Sequence, residues 1–250
     1  MKPVILTADS TCDLSPELKA QFQIRTVPLT ITEGDASYLD GVDFQPDQIY
    51  EIYRKDGTLP KTSAVSPQEF LEFFGPLVEE GYEIVHVDIS SKPSATYQNA
   101  CIAAGELGGI YPVDSSHLSA SSFLLLLEAC RLRDAGKSAR EIAQALEQQK
   151  QKLVTTFVVD TLEFIWKGGR CSGVTALGAN LLHIKPCLEM RDGELKVGKK
   201  YRGSIEKVYA QYLRDLLSRD DIDTRAAVMV HSGGITEETL ERLRQLVLEL

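Results

Sequence analysis

The stretch IVHVDISSKPSATYQNACIAAGEL, Ile84 to Leu107, decides the fold. Its opening run, Ile84 to Ile89, is apolar and rich in β-branched residues, the composition of a buried parallel strand. Ser90, Ser91, Pro93, Ser94 and Thr96 follow, and then Ala100, Ala103, Ala104 and Leu107 recur at helical spacing. This strand–loop–helix order places a loop full of hydroxyls at the carboxyl end of a strand, where open α/β sheets hold their ligands. The start of the following helix adds unpaired N–H groups and a positive dipole end, which favour an anion. Hydroxyls can donate to carboxylate or phosphate oxygens without a charge of their own. The plainer alternative is that Ser94 or Thr96 only caps the helix.

The same alternation runs through the rest of the chain. Val4 to Ala8 reads as a strand, and Ser15-Pro16-Glu17 opens a helix with Ser as N-cap and Pro at the first helical position. Thr26 to Thr32 reads as a second strand. A helix begins near Pro46, Lys61-Thr62-Ser63 is a hydroxyl-bearing loop, and Ser66-Pro67 starts another helix. Beyond Leu107, Tyr111 to Asp114 is a short strand, a long helix spans about Leu118 to Asp134, and Ser138 with Glu141 forms a capping box. From Leu153 the pattern changes. VTTFVVD, residues 154–160, reads as a strand, Thr161 to Trp166 as a short helix ended by Gly168-Gly169, and Val174 to Leu182 as a helix. Pro186 to Met190 and Leu195 to Gly198 flank Asp192-Gly193 as a hairpin. Ser204 and Thr236 cap the last two helices, with a strand at Ala226 to Val230 between them. The expectation is an α/β protein of two domains, residues 1–152 with a mainly parallel sheet flanked by helices and residues 153–250 with a smaller mixed sheet.

Composition narrows the function. The 250 residues carry 27 basic and 36 acidic side chains, a net charge of −9, which argues against nucleic acid as the general partner. The five cysteines are an odd number, and none are spaced C-x-x-C. That pattern predicts neither a disulfide framework nor a metal site, and suits a reducing cytoplasm. MKPVILTADS has too short an apolar run for a signal peptide, and Phe123 to Leu127 is far too short to insert in a membrane. No Walker A, G-x-G-x-x-G or G-x-S-x-G pattern is present.

Asp9, just after the first strand, is placed like the nucleophile of a phosphotransferase, but Thr11 stands where a second carboxylate is wanted. An Asp that organises its own turn is the better account. Cys12 lacks an obvious His partner. His86 falls inside a strand, while His231, beside Ser232-Gly233-Gly234, is the histidine placed to face a ligand. Lys167, Arg170, Lys185, Arg191, Lys196, Lys199, Lys200 and Arg202 concentrate positive charge in the second half, either as a solvated face or as a docking surface for an acidic or phosphate-bearing partner.

Taken together, TADST (7–11), VPLT (27–30), YLDGVD (38–43), KTS (61–63) with Ser66-Pro67, SSKPSATYQ (90–98), DTLEF (160–164), KGGR (167–170) and NLLHIKP (180–186) resemble the DegV family, the fatty-acid-binding subunits of bacterial fatty-acid kinases. The resemblance implies two α/β domains with a lipid tunnel between them. It also implies that the chain binds a long-chain fatty acid such as palmitate and is not itself an enzyme, needing no cofactor. A hydroxyl of the K-T-S loop and a serine of the S-S-x-x-S-G-T loop hold the carboxylate in that family; here they are Thr62 and Ser94, and the family's glycine after that serine is Ala95. Supporting positions are Ser63, Ser91, Thr96, Asp9, Ser10 and His231. The bound acid is presented to a separate ATP-dependent kinase, for whose docking Lys167, Arg170 and Arg202 are the candidates, feeding lipid metabolism. Phe157, Phe164, Ile165, Leu177, Leu181 and Leu182 are candidates to line the tunnel. The family pattern also implies a further strand and a histidine-bearing turn after Leu250. The rivals are an autonomous Asp9-dependent phosphotransferase or hydrolase, and a sensor of a small acid.

Overall fold

Five of the six residues of Val4–Asp9 (β1) are buried, as a strand covered on both faces requires. In the computed structural model, which describes residues 2–171 and 184–250, the chain divides into two compact units, Met1–Leu153 and Val154–Leu250. In the first unit β1 is followed by α1 (Pro16–Phe22), β2 (Ile24–Val27), β3 (Thr30–Glu33), β4 (Ala36–Leu39), α2 (Pro46–Asp56), β5 (Lys61–Ser63), α3 (Pro67–Glu79), β6 (Glu83–Asp88), α4 (Thr96–Leu107), β7 (Ile110–Asp114), α5 (Ala120–Asp134) and α6 (Ala139–Gln149). The main sheet has the order β2-β1-β6-β7, with every pairing parallel.

Side chains alternate across this sheet with period two. Leu6, Ala8, Val85, Val87 and Val113 join Leu125, Leu126, Ile142 and Leu146 of α5 and α6 in one core. Ile5 and Ile84 join Phe70, Phe74, Ala100 and Ala103 of α3 and α4 in the other. The second face carries a polar strip. Thr7, His86 and Asp88 are all buried, and each fully buried polar group must find a partner or cost stability. His86 meets Thr7 Oγ1 through Nδ1 at 2.8 Å and Asp88 Oδ1 through Nε2 at 3.1 Å. The rings of Phe70 and Phe74 lie edge-on to it at 5.2 and 5.1 Å.

Helix starts in the first unit follow the expected local chemistry, whereas Ser204, in the second unit, holds an N-cap position without a side-chain capping bond. Ser66 with Glu69 and Ser138 with Glu141 form reciprocal capping boxes, and the Ser15 hydroxyl caps α1. Two expectations for this unit need correction. Thr26–Thr32 is not one strand: it breaks at Pro28-Leu29 into β2 of the main sheet and β3 of a separate sheet. Pro28 has no N–H to give a ladder, and the Leu29 N–H goes to Ser10 Oγ at 3.1 Å. Lys61-Thr62-Ser63 is not a loop but the short strand β5, antiparallel to β3 with Thr62 opposite Ile31. The small sheet is β4-β3-β5.

The second unit contains β8 (Thr156–Val158), α7 (Glu163–Gly168), β9 (Ile184–Arg191), β10 (Glu194–Arg202), α8 (Ile205–Leu217) and α9 (Glu237–Glu249). Its antiparallel sheet has the order β10-β9-β8, and the Asp192-Gly193 turn joins β9 to β10 as the sequence predicts. Gly169 ends α7 in the left-handed conformation, φ 71°. Leu162, Cys171 and Leu188 form a core with Phe157 and Ile165 against it. Ala226–Val230, expected as a strand, is irregular, and Val228, Met229 and Val230 are exposed. β-Branched composition favours a strand only where a neighbouring strand pairs with it. The expected helix over 174–182, with Leu177, Leu181 and Leu182, lies outside the described residues.

Candidate ligand-binding site

The strand order reverses direction between β1 and β6: β1 leads outward to β2, and β6 leads the other way to β7. In an open parallel sheet the crevice at the carboxyl ends of such a pair is the usual ligand position. The residues after β1, β6 and β7 meet there.

Asp9 ends β1 and is 1% exposed. Its Oδ2 accepts from the Ile89 N–H at 2.7 Å, and its Oδ1 accepts from the Thr11 N–H at 2.9 Å and from the Thr11 hydroxyl. Burial raises its pKa, and the bonds from Ile89 and Thr11 oppose that rise. Both oxygens are thus committed to this chain's own donors, the arrangement of an anchor and not of a nucleophile. Ser10 donates to Asp40 Oδ2 at 2.6 Å, tying the same turn to the residue after β4. Burial pushes the Cys12 thiol up to about 12, so it is protonated at neutral pH and a poor nucleophile.

Asp114 ends β7 and fastens the hydroxyl loop from the other side. It accepts from the Ser91 N–H at 3.2 Å and from the Ser91 hydroxyl at 2.5 Å, and from the Ser116 N–H at 2.7 Å. The Ser90 N–H donates to the His117 carbonyl at 2.8 Å. The loop is therefore held at Ile89, Ser90 and Ser91, and the next residues project from a fixed base. Ser119 adopts φ 55° and ψ −134° and donates to Asp13 Oδ2 at 2.5 Å, a strained conformation of the kind that gathers at functional sites.

Ser94 is partly exposed and Thr96 is fully buried. Ser94 Oγ accepts from the Thr96 N–H at 3.2 Å and lies 2.8 Å from Thr96 Oγ1. The N-cap of α4 is Ala95, which offers no side-chain cap, unlike the serine caps of α3 and α6. Thr62 and its neighbours on β5 are exposed; alternation along a strand turns Thr62 and Ser63 to opposite faces. Asn99 of α4 donates through Nδ2 to the Val65 carbonyl at 2.8 Å, so the chain just past Thr62 is fixed to the helix that Ser94 precedes.

The structure thus gathers Asp9, Ser10, Ser91, Ser94 and Thr96 at the carboxyl rim of the main sheet. His231 lies in the second unit, exposed, with Nδ1 3.2 Å from the Ser232 carbonyl oxygen. Lys167, Arg170 and Arg202 are also exposed there. Several cations around them have acidic neighbours: Lys185 pairs with Asp160, Lys199 with Asp215 at 2.6 Å, and Arg191 with Glu189 at 2.5 Å. Sequence reasoning missed Asp114, Asn99 and the structural use of His86 and Asp88. Their partners lie in other elements, and only the placement of Asp88 and Asp114 at the ends of apolar runs hinted at a shared rim. Among the described residues no group of His, Cys, Asp and Glu is arranged to hold a metal ion, and no helix is long and apolar enough to cross a membrane.

A four-stranded parallel sheet flanked by helices, with the Ser90–Thr96 loop at its carboxyl rim, together with the smaller antiparallel sheet of the second unit, defines a mixed α/β protein. The chain matches, over residues 3–250, the model of a family described as "Uncharacterised protein, DegV family", and it belongs to that family. A DegV domain-containing protein of Clostridium perfringens is 35% identical over 212 residues, covering 84% of this chain and 76% of that protein. A solved structure described as the fatty acid binding of a DegV family protein from Thermus thermophilus is 31% identical, with a TM-score of 0.77 over 87% of this chain and 77% of that one. DegV of Bacillus subtilis, described as a fatty acid binding protein, is 25% identical with a TM-score of 0.82, covering 100% of this chain and 89% of that one.

Proposed function

We propose that this protein binds a long-chain fatty acid, palmitate being a representative size, with its carboxylate on the Thr62 and Ser94 hydroxyls at the start of α4. It acts as a carrier and not as an enzyme. The observation that carries this reading is Ser94 itself: the residue is partly exposed, precedes a helix whose N-cap residue makes no side-chain capping bond, and sits on a loop anchored by Asp9 and Asp114. A carboxylate there would take charge-assisted hydrogen bonds without a salt bridge. Burying the acyl chain contributes about 0.8 kcal/mol per methylene before ordering costs, so the tail supplies affinity and the hydroxyls supply orientation. The relatives described as fatty-acid-binding proteins support the ligand class.

In the fuller reading a separate ATP-dependent kinase phosphorylates the presented carboxylate and docks on Lys167, Arg170 and Arg202. The chain has no phosphate-binding glycine loop of its own, which suits that division of labour. The rival built on Asp9 is disfavoured because both its oxygens are already engaged. Native mass spectrometry of protein purified from cells tests the ligand. A retained mass of a long-chain fatty acid is expected; a protein that is empty and also ignores added fatty acid would overturn the reading, and a small polar acid would favour the sensor instead.

A further inference from the structure

The Ser94–Thr96 pair has a direction that the geometry decides. A hydroxyl offers one proton and two lone pairs. One Ser94 lone pair is taken by the Thr96 N–H at 3.2 Å, and the two hydroxyl oxygens lie 2.8 Å apart, so one donates to the other. Thr96 is 0% exposed. If Ser94 were the donor, the Thr96 proton would be buried without another acceptor among the described residues, the costly arrangement for a polar group removed from water. If Thr96 is the donor, its proton is satisfied, and Ser94, a partly exposed residue, keeps its own proton for a further acceptor.

We propose that Thr96 is a positioning residue that fills the second Ser94 lone pair, turns the Ser94 proton outward, and so selects an ionised carboxylate over a neutral head group on the same acyl chain. This rests on the fatty-acid reading above. With both lone pairs occupied, Ser94 can only donate. An ionised carboxylate only accepts and matches it with a charge-assisted bond, whereas an alcohol gives a weaker neutral bond and finds no acceptor in Ser94 for its own proton. Donation from Thr96 also polarises the Ser94 O–H, which strengthens its onward bond.

The test compares dissociation constants for a long-chain fatty acid and the fatty alcohol of equal length. The proteins are wild type, Thr96→Val, Thr96→Ser, Ser94→Ala and the Ser94→Ala/Thr96→Val double variant. The expected result is a preference for the acid in wild type that falls roughly two- to tenfold in Thr96→Val. Thr96→Ser should restore it, and Thr96→Val should have no further effect once Ser94 is alanine. A Thr96→Val protein that weakens both ligands equally, in either background, would show a purely structural threonine and overturn the inference. Unchanged preference in a Thr96→Val protein that melts like wild type would overturn it too. Wild type that binds neither ligand would instead bring down the fatty-acid reading, and this inference with it.

Discussion

The Asn99 side-chain amide and the Val65 carbonyl are joined at 2.8 Å across 34 residues of chain. Val65 is 1% exposed and follows β5 closely, while Asn99 lies in the first turn of α4. This bond couples the segment bearing Thr62 to the helix that Ser94 precedes. Asn99→Ala leaves a buried carbonyl without its donor, so we expect a loss of about 1–3 kcal/mol in urea unfolding, together with weaker fatty-acid retention. A variant as stable as wild type would show that the carbonyl finds another partner.

Asp9 performs the corresponding task between β1 and β6. Replacing it with Ala removes acceptors from the Ile89 and Thr11 N–H groups at once. Hydrogen bonds to a charged acceptor contribute about 1.5–3 kcal/mol each, though not additively, and we expect several degrees off the melting temperature. An anchoring Asp9 predicts this instability in Asp9→Ala. A catalytic Asp9 predicts instead a phosphoester turnover that Asp9→Asn abolishes at unchanged stability.

Asp88 gives the protein a recognisable pH dependence. Its Oδ2 is buried without a hydrogen-bond partner, and burial pushes it up to about 6 from 3.8; Asp9 and Asp114 add to the rise, and His86 opposes it. An acid whose folded pKa is raised holds its proton longer in the folded state. Its contribution is therefore present below about pH 4 and is lost as pH rises through 6. Buried His117 works the other way, since its lowered pKa costs stability as pH falls below its ordinary value of 6.5. Comparison with Asp88→Asn isolates the Asp88 part: between pH 7 and 4.5, wild type should gain roughly 2 kcal/mol relative to the variant. A stability difference that does not change with pH would contradict this assignment.

What the sequence made legible was local. The apolar runs at 4–8 and 84–89, the Ser66/Glu69 and Ser138/Glu141 boxes and the Asp192-Gly193 turn each carry their signal within a few residues. What it hid was long-range. Lys61–Ser63 becomes a strand only by pairing with Thr30–Thr32, and the break at Pro28-Leu29 is fixed by Ser10, 19 residues away. Ala226–Val230 has strand composition but no strand pairing. At the candidate site, Ser94 and Thr96 stood out as hydroxyls after an apolar run. Asp9 stood out as a turn former, but its bond to Ile89 spans 80 residues and belongs to the sheet order, which no local pattern encodes.

The central claim is that Ser94 and Thr62 hold the carboxylate of a long-chain fatty acid. It is tested most directly by the dissociation constant of one such acid for wild type, Ser94→Ala and Thr62→Ala, with melting curves confirming that each protein is folded. A hydrogen bond to a charged group contributes about 1.5–3 kcal/mol, so each substitution should weaken binding roughly ten- to hundredfold. Folded variants that bind the acid as tightly as wild type would contradict the claim and leave both hydroxyls as structural groups of their own loops.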